Sequence, residues 1–201
     1  MFQPVPETLD LDLLVLPETN LILFASVIEP LRVVNRIVGR DLYRWTIFSP
    51  DGRPAETRSG ISIPAAGAFR PDKESHPLFI LSSHNWDRYT TPALKRALSK
   101  TARHRSMVAG IEAGGWLLAE VGLLASVRAT THWEDFDDFT RAYPEIDMVR
   151  ERFVIDGKRI TTGGSLPTVD LMLEIIRRRQ GYSLAREVSR QFIYEQDGRR
   201  S

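Results

Sequence analysis

The amino-acid sequence predicts an α/β fold in which helices cover both faces of a mostly parallel β-sheet. Short, nearly continuous apolar runs are typical of strands buried on both faces. These runs alternate along the chain with longer segments whose apolar residues recur at helical spacing. No internal repeat, low-complexity segment or internal linker divides the 201 residues, so we predict one domain with a sizeable core.

The strands are predicted from apolar runs that end at turn residues. Residues 11–16 form the first run, which Pro17 and the polar residues after it terminate. Asp156 and Gly157 favour a type I′ turn and therefore a hairpin. We predict strands at residues 11–16, 43–48, 60–64, 78–81, 107–111 and 129–131, and the hairpin at 153–161.

The helices are predicted from apolar periodicity and from capping residues. Gly39 is a C-cap candidate, and Thr91 followed by Pro92 is typical of a helix start. Basic residues crowd the last turn of the helix that ends before Gly181, and Ser183 is expected to cap the final helix. We predict helices at residues 21–38, 92–100, 113–121, 134–143, 165–179 and 183–192.

Composition excludes several classes of function. Lys and Arg total 27 against 26 acidic residues, so the formal net charge of +1 gives no reason to expect nucleic-acid binding by this chain alone. There are no cysteines, which excludes disulfides, thiolate metal sites and cysteine nucleophiles. The N-terminus lacks the pattern of a signal peptide, and polar residues interrupt the apolar stretch at 11–31, so we expect a cytoplasmic protein without a membrane partner.

The most informative stretch is the predicted strand, turn and helix around Glu112. In α/β proteins such a turn lifts one side chain above the sheet and usually presents a Ser or Cys nucleophile. Glu112 occupies that position here, as either a surface acid at a helix N-terminus or a pocket carboxylate that pairs with a cation. Gly110, Gly114 and Gly115 favour the pocket, because glycine allows the backbone to approach a ligand closely.

Loops that follow parallel strands meet at the carboxyl edge of the sheet, where ligands bind in such folds. His132 is either structural or an acid–base partner of Glu112. The tryptophans near these loops either pack in the core or form an aromatic wall for a cation. The predicted ligand-binding residues are Glu112, Ala113, His132, Trp133, Trp116, Glu18, Thr19 and His84.

The sequence gives no sign of a metal or cofactor site. The four histidines, His76, His84, His104 and His132, are scattered, and no helix carries paired metal ligands at i and i+4. No glycine-rich phosphate motif is present either. We therefore predict no metal, no cofactor and, because position 112 lacks a hydroxyl or thiol, no catalytic nucleophile there.

Several segments in this order resemble a known family over nearly the whole chain. They are residues 26–32 (SVIEPLR), 43–45 (YRW), 49–52 (SPDG), 110–124 (GIEAGGWLLAEVGLL), 129–134 (ATTHWE), 153–157 (FVIDG), 163–164 (GG) and 170–173 (DLML). Together they resemble the N-terminal domain of GlxA-type AraC-family transcription regulators, which belongs to the class I glutamine amidotransferase-like superfamily with the PfpI-type proteases.

The resemblance implies a flavodoxin-like three-layer α/β sandwich, commonly a homodimer, that senses a small molecule rather than turning it over. Effectors of this family include amino acids and quaternary amines, so betaine, carnitine and basic amino acids are the expected ligand types. A C-terminal helix-turn-helix pair binds DNA in such regulators. We expect residues 1–195 to form the sensor domain and residues 196–201 to begin the linker to that DNA-binding domain.

Two departures from the family pattern keep other functions open. Many members place Cys at the turn where this chain has Glu112, and a Gly-Gly pair where it has Ser82 and Ser83. One alternative is an enzyme of the same superfamily, a hydrolase or lyase that uses Glu112 and His132. Another is a dimerisation module with a vestigial pocket.

Overall fold

The computed structural model describes residues 7–192 of the chain. The strands are β1 (Leu9–Val15), β2 (Tyr43–Ser49), β3 (Ala55–Glu56), β4 (Ser62–Ile63), β5 (Gly67–Ala68), β6 (Leu78–Ser82), β7 (Val108–Glu112), β8 (Arg128–Ala129), β9 (Asp147–Met148), β10 (Phe153–Asp156) and β11 (Arg159–Thr162). The helices are α1 (Leu21–Val38), α2 (Trp86–Tyr89), α3 (Pro92–Thr101), α4 (Gly114–Glu120), α5 (Phe136–Ala142), α6 (Ser165–Gln180) and α7 (Tyr182–Gln191).

Seven strands form the main sheet in the order β10-β11-β7-β6-β1-β2-β5. Every neighbouring pair is parallel except β10 and β11, which form the predicted hairpin. Leu13 in β1 lies opposite Ile47 in β2 and Phe79 in β6. The remaining short strands pair as β3 with β4 and β8 with β9. The predicted α/β class with a mostly parallel sheet is confirmed.

The sheet separates two hydrophobic cores because successive side chains of a strand point to opposite faces. Leu11 and Leu13 of β1 face the core that contains the apolar residues of α1, α6 and α7. Leu14 and Leu16 face the second core, which is built with residues of α3, α4 and α5. The molecule is therefore the three-layer α/β sandwich that the resemblance implies.

Local sequence signals are confirmed at several helix ends. Helix α1 ends at Gly39, which adopts φ = 73°. Helix α3 begins after Thr91, whose hydroxyl accepts a hydrogen bond of 3.2 Å from the N–H of Leu94. The prediction that Ser183 caps the last helix is wrong, because Gly181 turns the chain directly from α6 into α7, and α7 starts at Tyr182. Helix α2 was not predicted, since four residues are too few to show a helical period.

Arg105 is fully buried at the amino-terminal edge of the sheet, just before β7. Its guanidinium contacts the carboxylate of Asp12 in β1 and binds both carboxylate oxygens of Asp72 at 2.8 and 2.9 Å. A buried charge needs such partners because burial removes its hydration. This ion-pair network ties the loops before β6 and β7 to strand β1.

No helix within residues 7–192 is long and apolar enough to cross a membrane. The expected linker at 196–201 lies outside the described residues, as does the end of the expected sensor domain at 195.

Candidate functional site

Strand β7 ends at Glu112 in a turn that lifts the carboxyl group above the carboxyl edge of the sheet. Glu112 adopts φ = 56°, a left-handed conformation that is unfavourable for a residue with a side chain. Two hydrogen bonds hold this turn: the N–H of Glu112 donates to Oγ1 of Thr162 (3.2 Å), and the N–H of Ala113 donates to the carbonyl of Ser82 (3.0 Å). The predicted strand–turn–helix arrangement is therefore present.

The glycines around this turn have a different role from the one we predicted. A Cβ atom on Gly110 would lie 2.7 Å from the nitrogen of Gly115, and one on Gly114 would lie 2.3 Å from the carbonyl oxygen of Ile80. Both glycines thus let α4 pack directly on β6 and β7. Gly115 has looser surroundings, with its nearest atoms at 3.9 Å. The tight glycines serve the contact between helix and sheet, which builds the turn that carries Glu112.

Two serine hydroxyls approach the Glu112 carboxyl group. Ser165, the first residue of α6, donates from Oγ to Oε2 of Glu112 at 3.4 Å. Ser83, which follows β6, lies near this carboxyl group and acts to lower its pKa. The Ser83 hydroxyl in turn accepts from the N–H of Asn20 (3.1 Å), just before α1. The site therefore joins the end of β7 to the beginnings of α1 and α6.

Burial raises the pKa of Glu112 above the ordinary value of a glutamic acid. Ser83, the imidazoles of His132 and His84, and the hydroxyl of Ser165 act in the opposite direction but do not reverse the effect. No ion pair of the described residues includes Glu112. The carboxyl group is thus half-buried, bonded to a neutral hydroxyl, and without a guanidinium or ammonium partner among these residues.

Glu18, predicted as a ligand-binding residue, is held by three protein donors. Its carboxylate accepts hydrogen bonds from the Tyr89 hydroxyl (2.7 Å), Asn85 Nδ2 (2.7 Å) and Arg58 Nη1 (2.8 Å). The bonds from Tyr89 and Asn85, together with the charge of Arg58, lower the pKa of Glu18. Glu18 and Asn85 both have positive φ, of 61° and 48°. This cluster fixes the loop after β1 to the loops after β3 and β6.

Thr19 and Ala113 lie in the predicted loops but present no free polar side chain. Thr19 is buried, and its hydroxyl lies 2.6 Å from the carbonyl oxygen of Leu16 and 3.1 Å from that of Leu81. Ala113 is buried as well. Both residues shape the turn backbones that carry Glu18 and Glu112.

His132 and Trp133 lie together beside the start of α6. A Cβ atom on Gly164 would lie 3.5 Å from Cδ2 of His132, and the His132 and Trp133 rings are 5.7 Å apart. Nδ1 of His132 accepts from the N–H of Glu134 at 3.4 Å. Trp133 is 71% exposed and His84 is exposed too, so both remain available to a ligand.

Trp116 belongs to an aromatic cluster on the α5 side of the sheet. Its ring stacks on Trp86 at 5.9 Å and meets the edge of Phe139 at 4.6 Å. Tyr143 contacts it from the same region at 6.1 Å. These contacts favour the packing alternative for Trp116 over the predicted aromatic wall.

Sequence reasoning did not assign Ser83, Ser165 or Asn20 to the site. Ser83 and Ser165 each come directly after a strand or a glycine turn, which was the available signal. The structure also leaves the buried hydroxyls of Ser82 and Thr131 without hydrogen-bond partners among the described residues. No group of three or more His, Asp or Glu within residues 7–192 could hold a metal ion.

Comparison with known proteins identifies relatives of this chain, although no family profile matches it. The HTH-type transcriptional regulator CdhR of Pseudomonas aeruginosa is 43% identical over 180 residues, which cover 90% of this chain and 53% of the relative. The HTH-type transcriptional regulator GlxA of Rhizobium meliloti is 32% identical over 172 residues, with coverages of 85% and 53%. The chain thus spans about half the length of these curated relatives.

Solved structures share the fold at low sequence identity. An AraC family transcriptional regulator from Pseudomonas putida superposes with a TM-score of 0.80 at 22% identity, covering 92% of this chain and 99% of the other. A THiJ/PfpI family protein from Pseudomonas syringae gives 0.75 at 18% identity, with coverages of 96% and 79%. Over most of its length the chain is thus similar to about half the length of HTH-type transcriptional regulators, GlxA among them, and it shares the α/β fold of the AraC family and THiJ/PfpI family structures.

Proposed function

We propose that this chain is the small-molecule-sensing and dimerisation domain of a transcription regulator, and that its effector is a cationic amine or an amino-acid-like metabolite. Betaine, carnitine and basic amino acids are the compounds of this class that we would test first. The observation that carries the proposal is the half-buried carboxyl group of Glu112, which has a hydroxyl donor but no guanidinium or ammonium partner among the described residues.

A cationic ligand supplies what this carboxyl group lacks. Burial costs a carboxylate part of its hydration, and an opposite charge at short range restores a favourable interaction. A quaternary ammonium is well suited, because it cannot lose its charge by giving up a proton. The exposed ring of Trp133 beside His132 could add a cation–π contact worth about 0.5–2 kcal/mol.

The chemistry at the turn favours binding over catalysis. The position that presents a nucleophile in related folds holds Glu112, and the chain contains no cysteine. The homologues are named transcriptional regulators. The enzyme alternative rests on Glu112 and on His132, whose imidazole acts to lower the pKa of Glu112. It requires measurable turnover that both Glu112→Gln and His132→Ala abolish.

The homologues also support DNA as a partner of the whole regulator. Both are HTH-type transcriptional regulators, and this chain matches about half of each. We therefore propose that DNA binding resides in a helix-turn-helix domain that follows the sensor, with residues 196–201 in the linker, and that the sensor forms a homodimer. A regulator of this kind acts in the cytoplasm, where bacterial DNA is found.

Isothermal titration calorimetry of the chain with betaine, carnitine, choline, arginine and lysine tests the effector class. We expect at least one cation to bind and Glu112→Gln to weaken its binding about tenfold or more, the size expected when a charge-assisted contact is lost. Glu145→Gln removes an exposed carboxylate away from the site and should leave the affinity unchanged. Wild-type affinity in Glu112→Gln would show that the proposed role is wrong.

A further inference from the structure

Exposed apolar side chains are concentrated next to the residues that surround Glu112. Large hydrophobic residues exposed by more than a third number eight within residues 7–192, and four of them lie here. These four are Leu21 (36% exposed), Ile22 (56%), Trp133 (71%) and Leu166 (53%), and we call them the apolar rim. Single exposed apolar residues need no explanation, but several around one polar site indicate an interaction surface.

Each rim residue follows closely on a residue of the Glu112 surroundings. Leu21 and Ile22 come after Asn20, whose N–H binds the Ser83 hydroxyl. Leu166 comes after Ser165, which donates to Glu112. The same short connection applies to Trp133, which follows His132. Each rim residue is therefore one or two positions from a residue of the Glu112 surroundings.

The fold brings these short segments to one edge of the sheet. Helix α1 follows β1 and α6 follows β11, and both strands run in the same direction, so both helices begin at the carboxyl edge. The two helices pack together in the same hydrophobic core. His132 lies against Gly164, immediately before α6, which places Trp133 at this edge as well.

We propose that the effector is an amphipathic cation, with its positive nitrogen at Glu112 and a hydrocarbon or aromatic body on the apolar rim. This inference rests on the proposed function, because it extends the ligand beyond the cationic group. Charge complementarity decides the occupant: a half-buried carboxyl group without a guanidinium or ammonium partner in residues 7–192 lies at the same edge of the sheet as the exposed apolar residues of the rim. A ligand that combines a cation with an apolar body matches both features.

A homologous series separates the contribution of the body from that of the head group. The probes are n-alkyltrimethylammonium salts from tetramethylammonium to the octyl compound, titrated into the chain below their micelle concentrations. We expect affinity to rise about twofold to fourfold for each added methylene over the first several carbons, as apolar surface leaves water. Tetramethylammonium has no alkyl body and reports on the cationic head group alone.

Matched variants at the two ends of α1 locate the body. Leu21→Ser changes a rim residue that is 36% exposed. Val38→Ser is the matched control: Val38 is 38% exposed but lies outside the rim, at the other end of the helix. We expect Leu21→Ser and Leu166→Ser to weaken octyl binding at least threefold each without changing tetramethylammonium binding. Val38→Ser should bind both probes like wild type.

The outcomes distinguish this inference from the proposed function. Failure of every member to bind, tetramethylammonium included, overturns this inference, and it overturns the proposed function as well if betaine, carnitine, choline, arginine and lysine also fail to bind. If tetramethylammonium binds but affinity does not rise with chain length, only the amphipathic ligand is overturned. The same holds if affinity rises with chain length equally in wild type, Leu21→Ser and Leu166→Ser. A second copy of the chain could cover the rim instead of a ligand, and analytical ultracentrifugation tests this. If Leu21→Ser dissociated a dimer and Val38→Ser did not, the rim would be a dimer interface and the inference would be overturned.

Discussion

The hydroxyl of Ser165 donates to Oε2 of Glu112 across 3.4 Å, and so links the first residue of α6 to the last residue of β7. The two residues are 53 positions apart in the chain. Ser83 adds a second hydroxyl from the loop after β6. Neutral donors of this kind orient the carboxyl group while leaving its charge uncompensated, which is the arrangement expected where a ligand supplies the positive charge.

Cation binding should weaken as the pH falls through the raised pKa of Glu112. Burial places that pKa above the ordinary glutamic acid value, so protonation removes the charge earlier than at an exposed glutamate. Calorimetry with the best-bound quaternary amine at a series of pH values measures this loss. In Glu112→Gln the same titration should be flat over that range, although His132 and His84 remain. An equal pH dependence in the variant would assign the effect to another group.

The raised pKa of Glu112 also predicts how the free energy of unfolding changes with pH. The folded chain holds the Glu112 proton more tightly than the unfolded chain does, so between the ordinary and the raised pKa the folded state binds more protons. The free energy of unfolding of wild type relative to Glu112→Gln should therefore decrease as the pH rises through this window. Urea unfolding of both proteins at several pH values checks the sign, and an increasing difference would contradict it.

Arg105→Met should destabilise the fold by about 3–5 kcal/mol, because it leaves the buried carboxylate of Asp12 without its counter-charge. Arg128→Met is the matched control, since the Arg128–Asp147 pair is largely exposed and such pairs are worth about 0–1 kcal/mol. Urea unfolding followed by circular dichroism measures both. Equal losses of stability in the two variants would show that the buried Arg105 network contributes no more than an exposed ion pair.

Gly114→Ala and Gly115→Ala are adjacent substitutions at the start of α4 with opposite expected effects. A Cβ atom at Gly114 would lie 2.3 Å from the Ile80 carbonyl oxygen, so α4 must shift away from β6. We expect a loss of about 2 kcal/mol or more, in the range of overpacked sites. At Gly115 the nearest atoms are at 3.9 Å, and alanine there should be neutral or stabilise the helix by up to about 1 kcal/mol. Thermal unfolding of the two variants compares them directly.

The parts of this fold that follow from local sequence could be predicted. Helix α1 and its end at Gly39, the Thr91 cap and the turn at Glu112 each depend on residues within a few positions of one another. The partners of the site could not be predicted in this way. The bond between Asn20 and Ser83 spans 63 positions, and the bond between Arg105 and Asp12 spans 93. Pairings at such separations depend on how the loops meet, which no local period or motif encodes.

The glycines show why a correct motif can carry a wrong reason. The sequence has glycines on both sides of Glu112, and we expected them to let the backbone approach a ligand. Gly110 and Gly114 instead admit the backbone of α4 and of β6, respectively. A ligand and a neighbouring backbone both require glycine for close approach, and only the three-dimensional structure shows which of them is present.

The two edges of the main sheet also limit how copies of this chain can join. One edge ends in β5, which has two residues, and the other in β10, which has four. Short edge strands offer few unpaired backbone groups and so resist strand-to-strand association. A dimer of this chain would therefore be built on the side chains of helices and loops, and the two sheets would remain separate.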